Sequence, residues 1–259
     1  MPKRIALIDA DTILYAIAAT SEICAKKQDD GGEDLWFQTR PLSEAYGLVV
    51  AHLDAIVEEV EAAGAIVCLS DTTNFRYDIL PTYKANRIGV RRPPILADLQ
   101  ATIREIKPYP VLVVKGLEAD DVVGISCGQL QDAHEVPIMV SSDKDLRGIP
   151  GYLYQGGEMK HTTRAAADRW HLYQTLIGDS VDNYTGCPKM GPVRAEKLLS
   201  SCEHETPDRR WRWITGAFNR AGCTDDFALT QARVARILRA EDWDHEKREP
   251  VLWQPPRPN

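Results

Sequence analysis

The chain has 259 residues, 44% of them hydrophobic and 27% charged, with a formal net charge of −7. That length can bury a sizeable core without disulfide or metal staples, and the composition excludes a mainly disordered, collagenous or disulfide-scaffold protein. The charge argues against wholesale coating of a polyanion but allows a local basic patch, and no apolar run approaches the roughly 18 residues of a membrane span.

The N-terminus, Met1-Pro2-Lys3-Arg4-Ile5, runs straight into Asp9-Ala10-Asp11, which does not read as a signal peptide, so a cytoplasmic protein is expected. The apolar run 4–8 predicts a first buried strand. Residues 43–63 carry apolar side chains at helical spacing, with Gly64 as the expected helix stop. Runs rich in Val, Ile and Leu at 65–69, 110–114 and 136–140 predict three more strands, separated by helices at 94–107 and 118–131. Alternating strands and helices imply an α/β fold with a mostly parallel sheet. Beyond about residue 165 no further strong strand is expected. Helices are predicted at 165–177, 193–199, 207–219 and 227–240, with a tight Gly/Pro turn at 186–192 and an extended Pro-rich tail at 248–259. The six cysteines are scattered without a CxxC pair and read as reduced, mostly structural thiols.

Carboxylates follow every predicted strand. The first leads to Asp9 and Asp11, the second to Asp71, the third to Glu118, Asp120 and Asp121, and the fourth to Asp143 and Asp145. Parallel sheets bind ligands beyond the carboxyl ends of their strands, so the acids would share one rim and repel each other strongly without a cation. Hard oxygen ligands in that number suggest Mg²⁺ or Mn²⁺ rather than zinc. Singly, each acid reads equally well as a helix cap or loop decoration. The spacing of Asp143 with Asp145, Glu118 with Asp121, and Asp179 with Asp182 places each pair on one side of its segment. Two basic stretches stand apart: 83–94, with Lys84, Arg87, Arg91 and Arg92 and no acid, and 186–197, a Gly-flanked turn with Lys189, Arg194 and Lys197. The first also reads as a solvated loop. The second can present backbone N–H groups to a phosphate, or be an ordinary connection. Trp211 and Trp213, among Arg209, Arg210 and Arg212, suit either base stacking or packing on an amphipathic helix.

In chain order, Ile8-Asp9-Ala10-Asp11, Asp71-Thr72-Thr73-Asn74-Phe75-Arg76, Tyr83-Lys84-Ala85-Asn86-Arg87, Glu118-Ala119-Asp120-Asp121, Ser142-Asp143-Lys144-Asp145-Leu146 and Gly178-Asp179-Ser180-Val181-Asp182-Asn183 precede the turn at Gly186 and Gly191. This series resembles the 5′ nucleases of the flap endonuclease type: bacteriophage 5′–3′ exonucleases and the 5′-nuclease domain of bacterial DNA polymerase I. The tail around Ala228-Leu229-Thr230-Gln231 is similar to that of short phage exonucleases.

The resemblance implies a PIN-like core at 1–165 with a helical gateway within 82–108, followed by a helix-hairpin-helix region and helical extension at 166–259. It implies one metal group at Asp9, Asp71, Glu118 and Asp120 and a second at Asp121, Asp143, Asp145, Asp179 and Asp182. Lys84 and Arg87 would reach the scissile phosphate. DNA contact is expected from Arg76, Tyr83, Arg91 and Arg92 and from the hairpin through Gly186, Lys189, Gly191, Arg194 and Lys197, where the family often holds a monovalent ion such as K⁺. The implied reaction is two-metal hydrolysis of DNA phosphodiesters from 5′ ends, flaps or nicks, with RNA in RNA–DNA hybrids as a second substrate, in the host cytoplasm for a phage-encoded chain.

Two alternatives stay open. Ile8-Asp9-Ala10-Asp11-Thr12 also matches the DxDxT of haloacid-dehalogenase-like phosphatases, with an aspartyl nucleophile, but that leaves Asp71, Glu118-Ala119-Asp120-Asp121 and the hairpin unexplained. A DNA-binding scaffold without catalysis would show lost metal acids, and none of the nine positions is replaced.

Overall fold

The computed structural model describes residues 2–29 and 32–257. From the N-terminus, β1 (Arg4–Asp9) and α1 (Asp11–Thr20) lead into a hairpin of β2 (Glu22–Asp29) and β3 (Gly32–Thr39), then α2 (Leu42–Glu59) and β4 (Gly64–Leu69). The single-turn α3 (Arg76–Ile79) precedes α4 (Leu96–Ile106), β5 (Val111–Val113), α5 (Ala119–Asp132) and β6 (Val136–Val140). A second hairpin, β7 (Gly151–Gln155) and β8 (Glu158–Thr162), closes this part. Helices α6 (Arg164–Ile177), α7 (Pro192–Ser201), α8 (Pro207–Arg220) and α9 (Asp225–Ala235) follow, with two short strands, β9 (Trp243–Asp244) and β10 (Glu249–Pro250), in the tail.

The four apolar runs form the contiguous strands β5-β4-β1-β6 of a six-stranded sheet ordered β5-β4-β1-β6-β7-β8, parallel except for the β7–β8 pair. β1, β4 and β6 are apolar on both sides because helices cover both faces, whereas the edge strand β5 leaves Leu112 and Val113 exposed. Ala6 and Ile8 pack with Leu14 of α1, Leu53 of α2 and Leu99 of α4. Leu7 and Cys68 pack with Val122 and Val123 of α5 and with Ile237 and Leu238 of the tail. A separate core around Phe218 gathers Leu176, Ala195, Leu199, Ile214 and Ala228 from the four later helices. Among the described residues no helix is long and apolar enough to cross a membrane. Cys68, Cys127, Cys187, Cys202 and Cys223 are free thiols; the side chain of Cys24, like Pro258 and Asn259 of the expected extended tail, lies outside what is described.

Several local expectations need correction. Gly64 opens β4 rather than capping α2; the left-handed residue after that helix is Glu61, at φ 51°. Within 82–95 only a 3₁₀ turn, Ala85–Arg87, forms, and α4 buries Leu96, Leu99 and Ile103 in the core, so the expected helical gateway is a loop. The last helix stops at Ala235 instead of 240. Continuing it would need the Leu238 N–H to donate to the Val234 carbonyl. That N–H donates instead to Asp121 Oδ1 at 3.0 Å, and the Val234 carbonyl accepts from Arg76 Nε at 3.0 Å.

Candidate metal centre

The carboxyl ends of the parallel strands open into a cleft of about 230 Å³ lined by Asp9, Asp11, Glu118, Asp120, Asp143, Asp145 and Asp182, with Lys84 and Arg87 on its wall. Each acid is placed by a short local device. Asp9 is the last residue of β1 and accepts from Ser141 Oγ at 2.8 Å. Asp11 opens α1 and accepts from the Ser70 N–H at 3.0 Å. Glu118 is the N-cap of α5 in a capping box with Asp121, which leaves Asp120 free to face the cleft. Asp143 caps a 3₁₀ turn, Lys144–Gly148, by accepting from the Asp145 N–H at 2.8 Å. The two acids therefore meet through a turn rather than an extended segment.

The electrostatics ask for a cation. Burial, reinforced by Asp11 and Asp143, pushes Asp9 up to about 6. Burial with Asp143 beside it pushes Asp145 up to about 7. Burial next to Asp9 and Asp143 holds Asp120 well above the ordinary carboxylate range. Asp11 Oδ1 is buried with no hydrogen-bond partner. A divalent ion would relieve both the repulsion and the orphaned oxygen. Among the described residues no three His, Cys, Asp or Glu side chains stand so as to hold a metal ion directly between them. An open all-oxygen set of this kind suits a hydrated hard ion that takes one or two carboxylates directly and keeps its waters.

The cations come from the 82–87 segment, which is fastened to the loop between α6 and α7. Lys84 adopts a left-handed φ of 52° while its N–H donates to the Asp182 carbonyl at 2.9 Å, and Asn183 Nδ2 donates to the Thr82 carbonyl at 2.6 Å. The Lys84 ammonium pairs with Glu118 and stands 3.6 Å from Asp182; Arg87 pairs with Asp182 at 2.6 Å. Burial alone would raise Glu118, but Lys84 and Arg76 outweigh it and hold the carboxyl down to about 2.

Asp71, Asp121 and Asp179 do not line the cleft, and Arg76 and Tyr83 line it with their polar groups already engaged. Asp121 is fully buried and forked onto Arg76 at 2.7 and 2.8 Å, so it serves a salt bridge and not the metal group. Arg76, only 3% exposed, spends its donors on Asp121, Glu118 and the carbonyls of Val234 and Arg236. With five N–H groups in all, it has none left for a phosphate. Tyr83, also 3% exposed, turns its hydroxyl toward the cleft acids, 2.9 Å from both Glu118 and Asp182. Asp71 faces the neighbouring groove. Thr73 and the Gly116 N–H hold its carboxyl down to about 2. Asp179 stands just outside the cleft, accepting from the Val181 N–H at 2.7 Å and from Lys144 at 3.4 Å.

Of the other basic residues, Arg91 is exposed and pairs with Glu22, and Arg92 is exposed beside the Asp71 groove. In the hairpin, Lys189 (φ 62°), Arg194 and Lys197 are exposed, while Gly191 caps α7. The Gly186 N–H is not offered outward: it donates to buried Gln231 Oε1 at 2.7 Å. A Cβ on Gly186 would overlap the backbone of Gly178. Trp211 packs edge-on against Trp253 at 5.0 Å, whereas Trp213 is 42% exposed. The sequence reading omitted Val234, Ala235 and Ile237, which wall the cleft from the far end of the chain. It also left Asp11 out of the metal groups, although the strand-end rule already pointed to it.

Fold and site thus define an α/β protein with a polyacidic cleft beyond its parallel strands and two cations on the cleft wall. Residues 4–152 match the family described as 5′–3′ exonuclease, N-terminal resolvase-like domain, and the chain belongs to that family. Over 98% of its length it is 26% identical to an exodeoxyribonuclease of Enterobacteria phage T3 and 25% identical to an exonuclease of Escherichia phage T7, covering 93% and 94% of those proteins. Its fold is similar to that of the T5 D15 protein co-crystallised with metal ions, with a TM-score of 0.63 at 14% identity over 90% of this chain and 89% of that one. The PIN-like, mostly parallel architecture is the one observed. The chain is an enzyme of the 5′–3′ exonuclease class, which sets aside the haloacid-dehalogenase alternative.

Proposed function

We propose that the acidic cleft hydrolyses DNA phosphodiesters from 5′ ends, nicks or flaps with divalent metal. The observation that carries this reading is the gathering of Asp9, Asp11, Glu118, Asp120, Asp143, Asp145 and Asp182 around one space, with Lys84 and Arg87 facing it. Asp9, Asp11, Asp120 and Glu118 would surround one Mg²⁺ or Mn²⁺, and Asp143, Asp145 and Asp182 a second, one or two of each set directly and the rest through the ion's waters. When bound, such ions supply an activated water and charge stabilisation at the leaving oxygen. Lys84 and Arg87 lie beside the position of the scissile phosphate and offset the charge that grows there. Arg76 and Tyr83 keep Glu118 oriented from beneath. Lys189, Arg194 and Lys197 grip duplex phosphates beyond the cleft and set the polarity of attack.

A 5′-labelled flap and a nicked duplex, incubated with and without Mg²⁺, test the reading. Labelled mononucleotides or short oligomers in Mg²⁺ alone are expected, and full cleavage in EDTA would overturn it. The same assay with an RNA–DNA hybrid, and with K⁺ exchanged for a bulky organic cation, reads out the second substrate and the monovalent ion at the hairpin.

A further inference from the structure

Gln174 lies on α6, outside the matched family segment, and is 2% exposed. Its Nε2 donates to Asp145 Oδ1 at 2.6 Å, while its own Oε1 is buried without a hydrogen-bond partner. The amide turns its NH₂ toward Asp145, the arrangement that suits an ionised carboxylate, which only accepts.

We infer that Gln174 is a positioning residue for Asp145. The choice of an amide has a physical rationale. A lysine or arginine there would compete with a metal cation for the carboxylate. A leucine would let the carboxylate swing and leave it less solvated. A neutral donor orients the anion and leaves its charge for the ion. Partners of this kind, behind a ligand, typically carry ~10–100-fold in metal affinity or activity.

This inference rests on the reading of Asp145 as a metal-holding acid, and the test separates the two. The proteins are Gln174→Met, which keeps length and shape, Gln174→Asn, which keeps an amide but draws it back from Asp145, and Asp145→Asn as reference. Two titrations are compared: Mn²⁺ binding to the DNA-free protein, followed by the spin resonance of free Mn²⁺, and single-turnover flap cleavage against Mg²⁺ concentration. Melting in EDTA reports on the fold. Gln174→Met is expected to weaken Mn²⁺ binding and raise the half-saturating Mg²⁺ by ~10-fold or more, with the maximal rate largely regained at saturating metal. Gln174→Asn should move both in the same direction, and it carries the test if Gln174→Met does not fold. If Asp145→Asn shifts the Mn²⁺ titration but neither Gln174→Met nor Gln174→Asn does, the positioning role is overturned and Gln174 is a packing residue. If Asp145→Asn itself leaves Mn²⁺ binding unchanged, the metal reading of Asp145 fails and takes the inference with it.

Discussion

Lys84 shows how a single side chain changes meaning with its surroundings. In the sequence it is one of several cations in a stretch without acids. In the fold its ammonium is mostly buried and paired with Glu118 beside Asp182, on the wall of the acidic cleft. Such a charge can act on a phosphate as negative charge builds in the transition state. Lys84→Ala is therefore expected to bind DNA nearly as well as wild type and to cleave it on the order of 100-fold more slowly in single-turnover assays. A loss of binding that low salt recovers, with a normal rate once bound, would make it an interchangeable surface cation. The acids follow the same logic: Asp9→Asn and Asp120→Asn should abolish cleavage while leaving the circular dichroism spectrum unchanged, and turnover by both would sink the metal reading.

Partners decide which acids enter the site, and they are invisible in the sequence. Asp71 follows its strand just as Asp9 does, yet Thr73 and Gly116 claim it. His171 is a further case. It is buried in α6, its Nε2 is 2.7 Å from the Ala232 carbonyl and its ring is edge-on to Trp253. Burial, with Arg236 and Arg239 nearby, pushes it down to about 3. Between that value and its ordinary range near 6.5 the unfolded chain binds the proton and the folded chain does not. Stability from this group is present above the ordinary value and falls as the pH drops toward 3, by ~1.4 kcal/mol per pH unit. Denaturant titrations from pH 6.5 to 4.5 should show His171→Gln with a shallower acid slope than wild type; parallel slopes would remove the histidine from the account.

At the scale of elements, the strands were legible because a sheet covered on both faces demands continuous apolar runs, as in β1, β4 and β6, and the edge strand β5 carries a short one too. The hairpins were not. β7–β8 turns through Gly156 and Gly157 at φ 61° and 82°, a local signal overshadowed by its short flanks. The end of α9 was illegible for a different reason. It is set by Arg76 and Asp121, more than a hundred residues away, which take the carbonyl and the N–H that the next helical turn would have joined. Removing one member of a buried ion pair strands the other, at a cost of ~3–5 kcal/mol. Arg76→Met and Asp121→Leu should each lose stability on that order in EDTA-containing denaturant titrations. The double variant should lose clearly less than the sum, because no unpaired charge remains. Additive losses would mean that the pair does not act as a unit.

At the scale of the whole molecule, the cleft is assembled from both ends of the chain. Residues 4–152 supply most of the acids, but Asp182, Tyr184 and the 234–237 segment complete the wall. That segment is held where the tail crosses α5. Gly124 and Gly128, one helical turn apart, form a shallow track: a Cβ on Gly124 would overlap the Leu238 carbonyl, and one on Gly128 would stand 2.6 Å from Ala240 Cβ. Helix propensity and packing here predict opposite signs. Alanine favours a helix interior over glycine by about 1 kcal/mol, so if the tail were a loose appendage, Gly124→Ala would stabilise the protein. If the tail is locked into the track, the added methyl meets a backbone carbonyl that cannot give way without lifting Ile237 and Leu238 from the core, and overpacking of that kind typically costs ~1–3 kcal/mol. We expect the second outcome: a lower melting temperature for Gly124→Ala, faster amide hydrogen exchange across 236–242, and reduced cleavage because Ile237 lines the cleft. A raised melting temperature with unchanged exchange in the tail would show that the C-terminal segment merely lies against the nuclease core and does not help to shape its active cleft.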